Sequence, residues 1–399
     1  MNPIGVAVVG ASMRSTMVLR YLQDYPEVGH ICGMYDIIPA RGEYLLKQYD
    51  HTQARIYESL EQVVGDSDVG AVCICTSDGE HVTPAVAALK AGKHVFCEKP
   101  MTITLEDADT LIAAAQESKA VFYLGMNLRH APVFDELHKI LESGKLGRLL
   151  AIESNEHYFG GRTYFRRWNR LRKYGGGLWI TKACHDFDLL NWFAGGNPTR
   201  VFGVCSLSHY KPKPGAGTHC RVCNLKNECP DYFDVSDPKA PSWGAENEVL
   251  GRLTEEATGV PRDICLYNSD KDTFDNGIAI VEYDNDVRAT YTVSVVASMS
   301  TRQMRLTGTE GFAEGDLSAG TVKYWKRHAK EGNWPQVTNL RELMNSGHGG
   351  ADDNLLKDFF ECCRTGKKPK SSWMDGRLSV KVGLAARESC DTGKPVILK

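Results

Sequence analysis

From residue 4 the chain repeats one unit, a short β-branched run, a turn, then an amphipathic stretch, and no other feature restricts its fold so strongly. The periodicity predicts strands at Ile4–Val9, Ile31–Tyr35, Val69–Thr76, His94–Cys97 and Ala120–Gly125. Helices are predicted near Arg14–Asp24, Ala40–Gln48, Pro84–Ala91 and Leu105–Glu117. Alternating βαβ units require a parallel sheet covered on both faces, and ligands on such sheets bind beyond the carboxyl ends of the strands. At 399 residues the chain exceeds one core of about 250–300 residues, so a second domain is expected.

The first strand ends in GASMRS, Gly10 to Ser15, where a dinucleotide site would have G-x-G-x-x-G. Two glycines are replaced by Ser12 and Ser15, small enough for backbone to approach a pyrophosphate. An ordinary βα turn is the competing reading. Asp36, 26 residues after Gly10, ends the second strand, where a carboxylate accepts from both ribose hydroxyls. That favours NAD. Arg14 and Arg41 are placed near the same ribose and could attract a 2′-phosphate, so NADP stays open.

The fourth strand runs into VFCEKPM, Val95 to Met101, a Glu-Lys-Pro at the carboxyl edge of the sheet. A surface turn would explain it, and a cis Lys99–Pro100 bond is one geometry open to such a turn. Three further segments stand out: Met126 to Ser154, GGGLWITKACHDFDLLNW from Gly175 to Trp192, and GHGGADDNLLKDFF from Gly347 to Phe360. Together with HVFCEKPM they resemble the Gfo/Idh/MocA oxidoreductases over essentially the whole chain. The resemblance implies an α/β plus α+β architecture: a Rossmann parallel sheet over residues 1–126, a mainly antiparallel open-sheet substrate domain over 127–350, and a C-terminal helical segment, 351–399, packing back on the first domain. It implies that Lys99 lies beside nicotinamide and substrate, and that His185 of the H-x-x-D helix is the acid/base, with Asp188 completing the motif. Many sugar and inositol dehydrogenases of the family have Asp where this chain has Thr181, next to Lys182. Helical spacing would put Thr181, Lys182 and His185 on one wall.

The catalytic candidates are therefore Lys99, His185 and Lys182. The cofactor candidates are Gly10, Ser12, Met13, Arg14, Asp36, Thr76, His81, Glu98 and Lys99, and the substrate candidates Arg129, Arg167, Trp168, Thr181 and His185. Arg129 could instead cap a helix or fill a loop, and Asp188 is expected to hold its helix in place. His348, among glycines, is either a visitor to the active site or part of a plain loop. Tyr158 to Gly177 is aromatic and basic, but a net charge of −3 argues against a nucleic-acid or anionic-membrane surface. A substrate loop is expected there, with a subunit contact as the rival.

Cys220, Cys223 and Cys229 include a C-x2-C of zinc spacing, yet no second C-x2-C follows. They are read as buried free thiols, and no metal is expected. The cysteines inside apolar runs suit a reducing compartment. The absence of a signal-like start or a membrane-length apolar run leads to a cytoplasmic assignment. Gly277 to Val295 reads as two antiparallel strands turning at Asp284–Asp286, with residues 302–317 continuing the meander. A homodimer or homotetramer through this open sheet is expected.

The function expected is NAD(P)-dependent hydride transfer at a secondary hydroxyl of a sugar, inositol or related polyol. The alternative is an NAD-dependent glycoside hydrolase working by transient oxidation and elimination. A regulator that kept the fold and lost the chemistry ranks below both, because Lys99 and His185 are present.

Overall fold

The computed structural model describes residues 2–237, 248–329, 332 and 334–399. The first six strands are β1 (Ile4–Val9), β2 (Gly29–Tyr35), β3 (Arg55–Ile56), β4 (Ala71–Ile74), β5 (His94–Cys97) and β6 (Phe122–Leu124). They form one parallel sheet in the order β3-β2-β1-β4-β5-β6. Every residue of β4 is buried, as expected where helices cover both faces. The register sets Val9 beside Tyr35 on one side and Ile74 on the other, so the strand order switches at β1. A crevice at such a switch point is where ligands bind.

The predicted strands at 69–76 and 120–125 are shorter than expected because residues at both ends lie outside the ladder. The short strand β3 and the helix Leu60–Gly65 were absent from the expectation, being too brief to show a period.

The second sheet has nine strands: β7 (Leu149–His157), β8 (Pro198–Ser206), β9 (Asn276–Tyr283), β10 (Arg288–Ser294), β11 (Thr301–Gly308), β12 (Gly311–Asp316), β13 (Thr321–Lys326), β14 (Gln336–Asn339) and β15 (Val396–Ile397). Their order is β14-β13-β12-β11-β7-β10-β9-β8-β15. The β9–β10 hairpin turns with Asp286 at φ +66°, as expected for a tight turn. The meander does not continue from β10 to β11, however: β7 lies between them, parallel to β10 and antiparallel to β11. Local spacing could not reveal that insertion, because β7 comes from far earlier in the chain.

One face of this sheet packs on the helices Pro132–Glu142, Cys184–Ala194 and Trp373–Thr392. Strand alternation buries Ala279 and Val281 on that face and leaves Ile278 and Ile280 exposed on the other. The C-terminal segment divides its packing. The helix Gly347–Thr365, regular only after Gly350, lies on the first domain, with Phe359 against Phe96 and Tyr123 at ring distances of 5.5 and 5.6 Å. The helix Trp373–Thr392, held at its start by a Ser372–Asp375 capping box, packs its first turns on the first domain, with Gly376 against Leu124 and Met101, and buries Val382, Ala385 and Ala386 in the core of the second.

Candidate active site

The loop after β1 is shaped for close approach. Gly10 sits at φ +95°, and a Cβ there would come within 2.7 Å of the Cys75 and Thr76 backbone. Glycine is therefore required, although the other two glycines of the fingerprint are absent. The Ser12 hydroxyl donates to the Cys75 carbonyl at 2.9 Å, closing the loop over the end of β4. Asp36 accepts the Ala11 N–H at 2.7 Å and the Ile38 N–H at 2.8 Å, which fixes its carboxylate at the carboxyl end of β2. This cradle with an anchored acidic residue fits the adenosine half of NAD. Met13 is exposed beside it, and the Thr76 hydroxyl donates to the Glu80 carbonyl.

Both arginines are engaged by the protein itself, and only Arg14 leaves the ribose end. Arg41 is buried and donates through Nε and Nη2 to the Ala11 carbonyl, at 3.0 and 2.6 Å. Arg14 turns toward the Glu-Lys-Pro turn, pairing with Glu98 at 2.8 Å and Asp352 at 3.1 Å. Two buried carboxylates outweigh anything the ribose edge offers a guanidinium. His81 is also corrected: it is fully buried, with Nδ1 2.8 Å from the Pro100 carbonyl, and supports the turn from below.

The Lys99–Pro100 bond is cis. Lys99 Nζ donates to the Thr181 carbonyl at 3.3 Å, bridging the two domains across the cleft. Asp78, just beyond β4, faces the same place and hydrogen-bonds to Thr181. Burial raises its carboxyl to about 7, and Lys99 and Thr181 offset this only in part. Its Oδ2 has no hydrogen-bond partner among the described residues. Thr181 also accepts from Asn169 Nδ2 at 3.1 Å.

His185 lies in the first turn of the helix Cys184–Ala194, is 3% exposed, and has no partner for Nδ1 among the described residues. Burial first, then the positive charge of Lys99 and Arg302, keeps its pKa well below 6.5. The helix N-terminus acts in the same direction. The imidazole is thus neutral and able to accept a proton. His348 faces it with ring centroids 5.8 Å apart, and its Nδ1 is 3.2 Å from both oxygens of Asp352. The loop holding His348 at φ +53° therefore belongs to the site.

Lys182 does not share a helix with His185, although its charge still reaches that imidazole and His348. The helix Leu178–Thr181 stops before Lys182, whose Nζ binds buried Glu156 at 2.8 Å over the Tyr158 ring. The sheet register places Arg302 opposite Glu156, and Arg302 reaches both Glu156 at 2.5 Å and Asp186 at 3.2 Å. Burial opposes ionisation of Glu156, but Arg302 and Lys182 outweigh it and hold the carboxyl at about 2. Asp186 is raised by burial to about 6. Lys182 is thus held by Glu156, with burial lowering its pKa and Glu156 opposing that.

Of the substrate candidates, Arg167 lies within the field of Asp78 and Tyr158, and Trp168 packs at Gly175 beside Asp78. Arg129 is elsewhere. It is 2% exposed and forms a bidentate pair with Asp188 at 2.8 and 2.7 Å, with Asp375 at 3.1 Å. A buried guanidinium needs such partners, and a substrate role is not available to it. The expectation that Asp188 holds its helix agrees with this pair. Asp78, Glu156 and Arg302 were missed by the sequence reading, and Tyr158 entered it only as the start of the expected substrate loop. For Asp78 the only signal was its place two residues after the predicted strand end at Thr76.

The family description "oxidoreductase family, NAD-binding Rossmann fold" matches residues 4–126, and "oxidoreductase family, C-terminal alpha/beta domain" matches 138–398. YteT of Bacillus subtilis (strain 168), a proposed oxidoreductase, is 26% identical over 400 residues, covering 92% of this chain and 91% of that protein. Myo-inositol 2-dehydrogenase of Thermotoga maritima is 30% identical over 221 residues, covering 52% of this chain and 64% of that protein. Levoglucosan dehydrogenase, solved with NADH and levoglucosan, has the same fold at 16% identity, with a TM-score of 0.78 over 99% of each chain.

Proposed function

Because the chain belongs to the Gfo/Idh/MocA oxidoreductases, enzymes with an NAD-binding first domain, we propose that it transfers a hydride between NAD and a secondary hydroxyl of a sugar, inositol or related polyol. Gly10, Ser12 and Asp36 would hold the adenosine half of NAD, and Glu98 and Lys99 border its other half. When bound, NAD supplies the hydride acceptor. The observation that carries the reading is a neutral imidazole at His185, its Nδ1 without a hydrogen-bond partner among the described residues, within the field of Lys99. His185 takes the hydroxyl proton as general base. Lys99, tethered at Thr181, polarises the reacting oxygen. Asp78, with a carboxyl near neutrality, is the second group able to move a proton there. Arg167 and Trp168 form the substrate wall, and the polyol relatives support the substrate class.

The test is a panel of sugars, polyols and chromogenic glycosides with NAD or NADP, followed at the NADH absorbance band and by aglycone release. Steady NADH formation with free sugars or polyols is expected, faster with NAD. Aglycone release without NADH accumulation would overturn net dehydrogenation in favour of redox-assisted glycoside cleavage. His185→Ala should abolish turnover while NAD binding persists.

The protein also forms a homodimer or homotetramer through the open sheet. Val204, Ile278 and Ile280, 49%, 47% and 43% exposed on adjacent strands, support this. The double variant Ile278→Asp, Ile280→Asp should sediment as a monomer.

A further inference from the structure

The loop Gly10–Ser15 lacks two glycines of the dinucleotide fingerprint, and side chains hold its shape instead. The peptide joining Ala11 to Ser12 is gripped at both ends. Ser15 Oγ accepts the Ser12 N–H at 3.0 Å, while Arg41 holds the Ala11 carbonyl through Nε and Nη2. The N–H of Ala11 is the one that Asp36 accepts. Arg41 and Asp36 thus fix one residue of the cofactor loop from its two sides.

A further donor of Arg41 reaches outside the first domain. Arg41 lies on the helix Pro39–Gln48, and its Nη1 donates to the Thr254 hydroxyl on the helix Glu248–Thr258. Thr254 Oγ1 itself donates to the Leu250 carbonyl at 2.8 Å, which leaves its lone pairs for the guanidinium. The helix Glu248–Thr258 falls within the residues of the C-terminal alpha/beta domain, yet Leu250 is fully buried in one cluster with Leu45 and Leu46 of the first domain. Glu255, next to Thr254, keeps the helix tied to the second domain by pairing with Arg221 at 2.6 Å, and Arg221 pairs in turn with Asp263 at 2.7 Å. The helix therefore braces the adenosine end of the cofactor site from a distance of more than 200 residues in the chain.

A buried guanidinium keeps its place only while acceptors meet its N–H groups. Arg41 is 9% exposed, so an apolar side chain at Thr254 would remove an acceptor from a charge that water scarcely reaches. We propose that Thr254 is a positioning residue for NAD: it seats Arg41 on the Ala11 carbonyl and, through Ala11, sets the Asp36 carboxylate that meets the ribose. This role depends on NAD binding to the first domain and not on which alcohol is oxidised. It also bears on the choice of dinucleotide. Asp36 accepts from the 2′-hydroxyl of NAD and has nothing to accept from a 2′-phosphate, so loosening Ala11 costs NADH more than NADPH.

The test titrates the full-length protein with NADH and with NADPH, following nicotinamide fluorescence. Thr254→Val should raise Kd for NADH by about tenfold, the loss of one hydrogen bond to a charged group. Kd for NADPH should rise less, so that the ratio of the two narrows. Thr254→Ser should restore both values, and Arg41→Met should exceed the valine variant. An NADH affinity unchanged in Thr254→Val and in Arg41→Met would overturn the proposal. So would an equal loss for both dinucleotides that serine does not repair, accompanied by a lower melting temperature without cofactor, since the helix would then support only the fold. A sugar and polyol panel that yields no NADH, beside titrations that behave as expected, would remove the hydride-transfer reading and leave this role standing.

Discussion

At the scale of single residues, the electrostatics of His185 make a testable statement about rate. Burial and then Lys99 lower its pKa, so the base is neutral across the neutral range and the acid limb of kcat/KM should fall below pH 6.5. Lys99→Met removes one source of that lowering. Its acid limb should shift to higher pH while kcat drops by about 10²–10³. A profile in which the limb stays in place would separate Lys99 from His185. Asp36 carries a second prediction. It is fixed by two N–H groups at the end of β2, and Asp36→Ala should raise KM for NAD by about tenfold or more, the loss of a charge-assisted hydrogen bond. The preference over NADP should narrow, measured as the ratio of kcat/KM values. Lys99, His185 and Asp36 were legible in the sequence because each sits in or beside a motif whose chemistry depends on spacing. Glu156 and Arg302 were not, because their pairing exists only through the β7–β11 register. Arg14, expected at the ribose, turns away because nothing local signals Glu98 and Asp352 as its partners.

At the scale of elements, the helix bearing His185 is positioned by a clamp rather than by its own propensity. Arg129, from the turn after β6, holds Asp188 one turn beyond His185, and Asp375 on the helix Trp373–Thr392 adds a third charge. Burial raises Asp188, and Arg129 offsets this. Arg129→Met would leave that carboxylate buried without its cation. The expected loss of stability is about 3–5 kcal/mol, read from urea unfolding. In the surviving folded fraction kcat should fall more than NAD affinity, because the base moves while the Gly10 loop does not. Equal loss of both would mean that Arg129 supports the whole first domain. The first sheet was read nearly strand for strand, since each βα unit carries its own period. The second was read only as hairpins, because parallel entry of β7 between β10 and β11 leaves no local trace.

Across the whole molecule, imidazoles set the response to acid. His81, His94, His130, His138, His185 and His348 all have their pKa lowered, in each case chiefly by burial, with His130 down to about 4. Below pH 6.5 the unfolded chain takes up protons at these sites and the folded chain does not, so stability falls as pH falls. Three buried carboxyls act oppositely. Asp78, raised to about 7, Asp186, raised to about 6, and Asp188 stay protonated in the fold where the unfolded chain would ionise, which favours the fold as pH drops toward 3.8. Six groups against three leave a net destabilisation between pH 6.5 and about 4, bounded by about 1.4 kcal/mol per pH unit for each net proton. The melting temperature should therefore be lower at pH 5 than at pH 7.5. Because His185, His348 and Asp78 lie at the cleft, NAD should protect most where the cleft histidines are neutral, and its stabilising shift in Tm should shrink at pH 5. A Tm that rises on acidification would mean that the carboxyls dominate and that the imidazoles at His185 and His348 carry protons in the folded enzyme, which would remove His185 as the base.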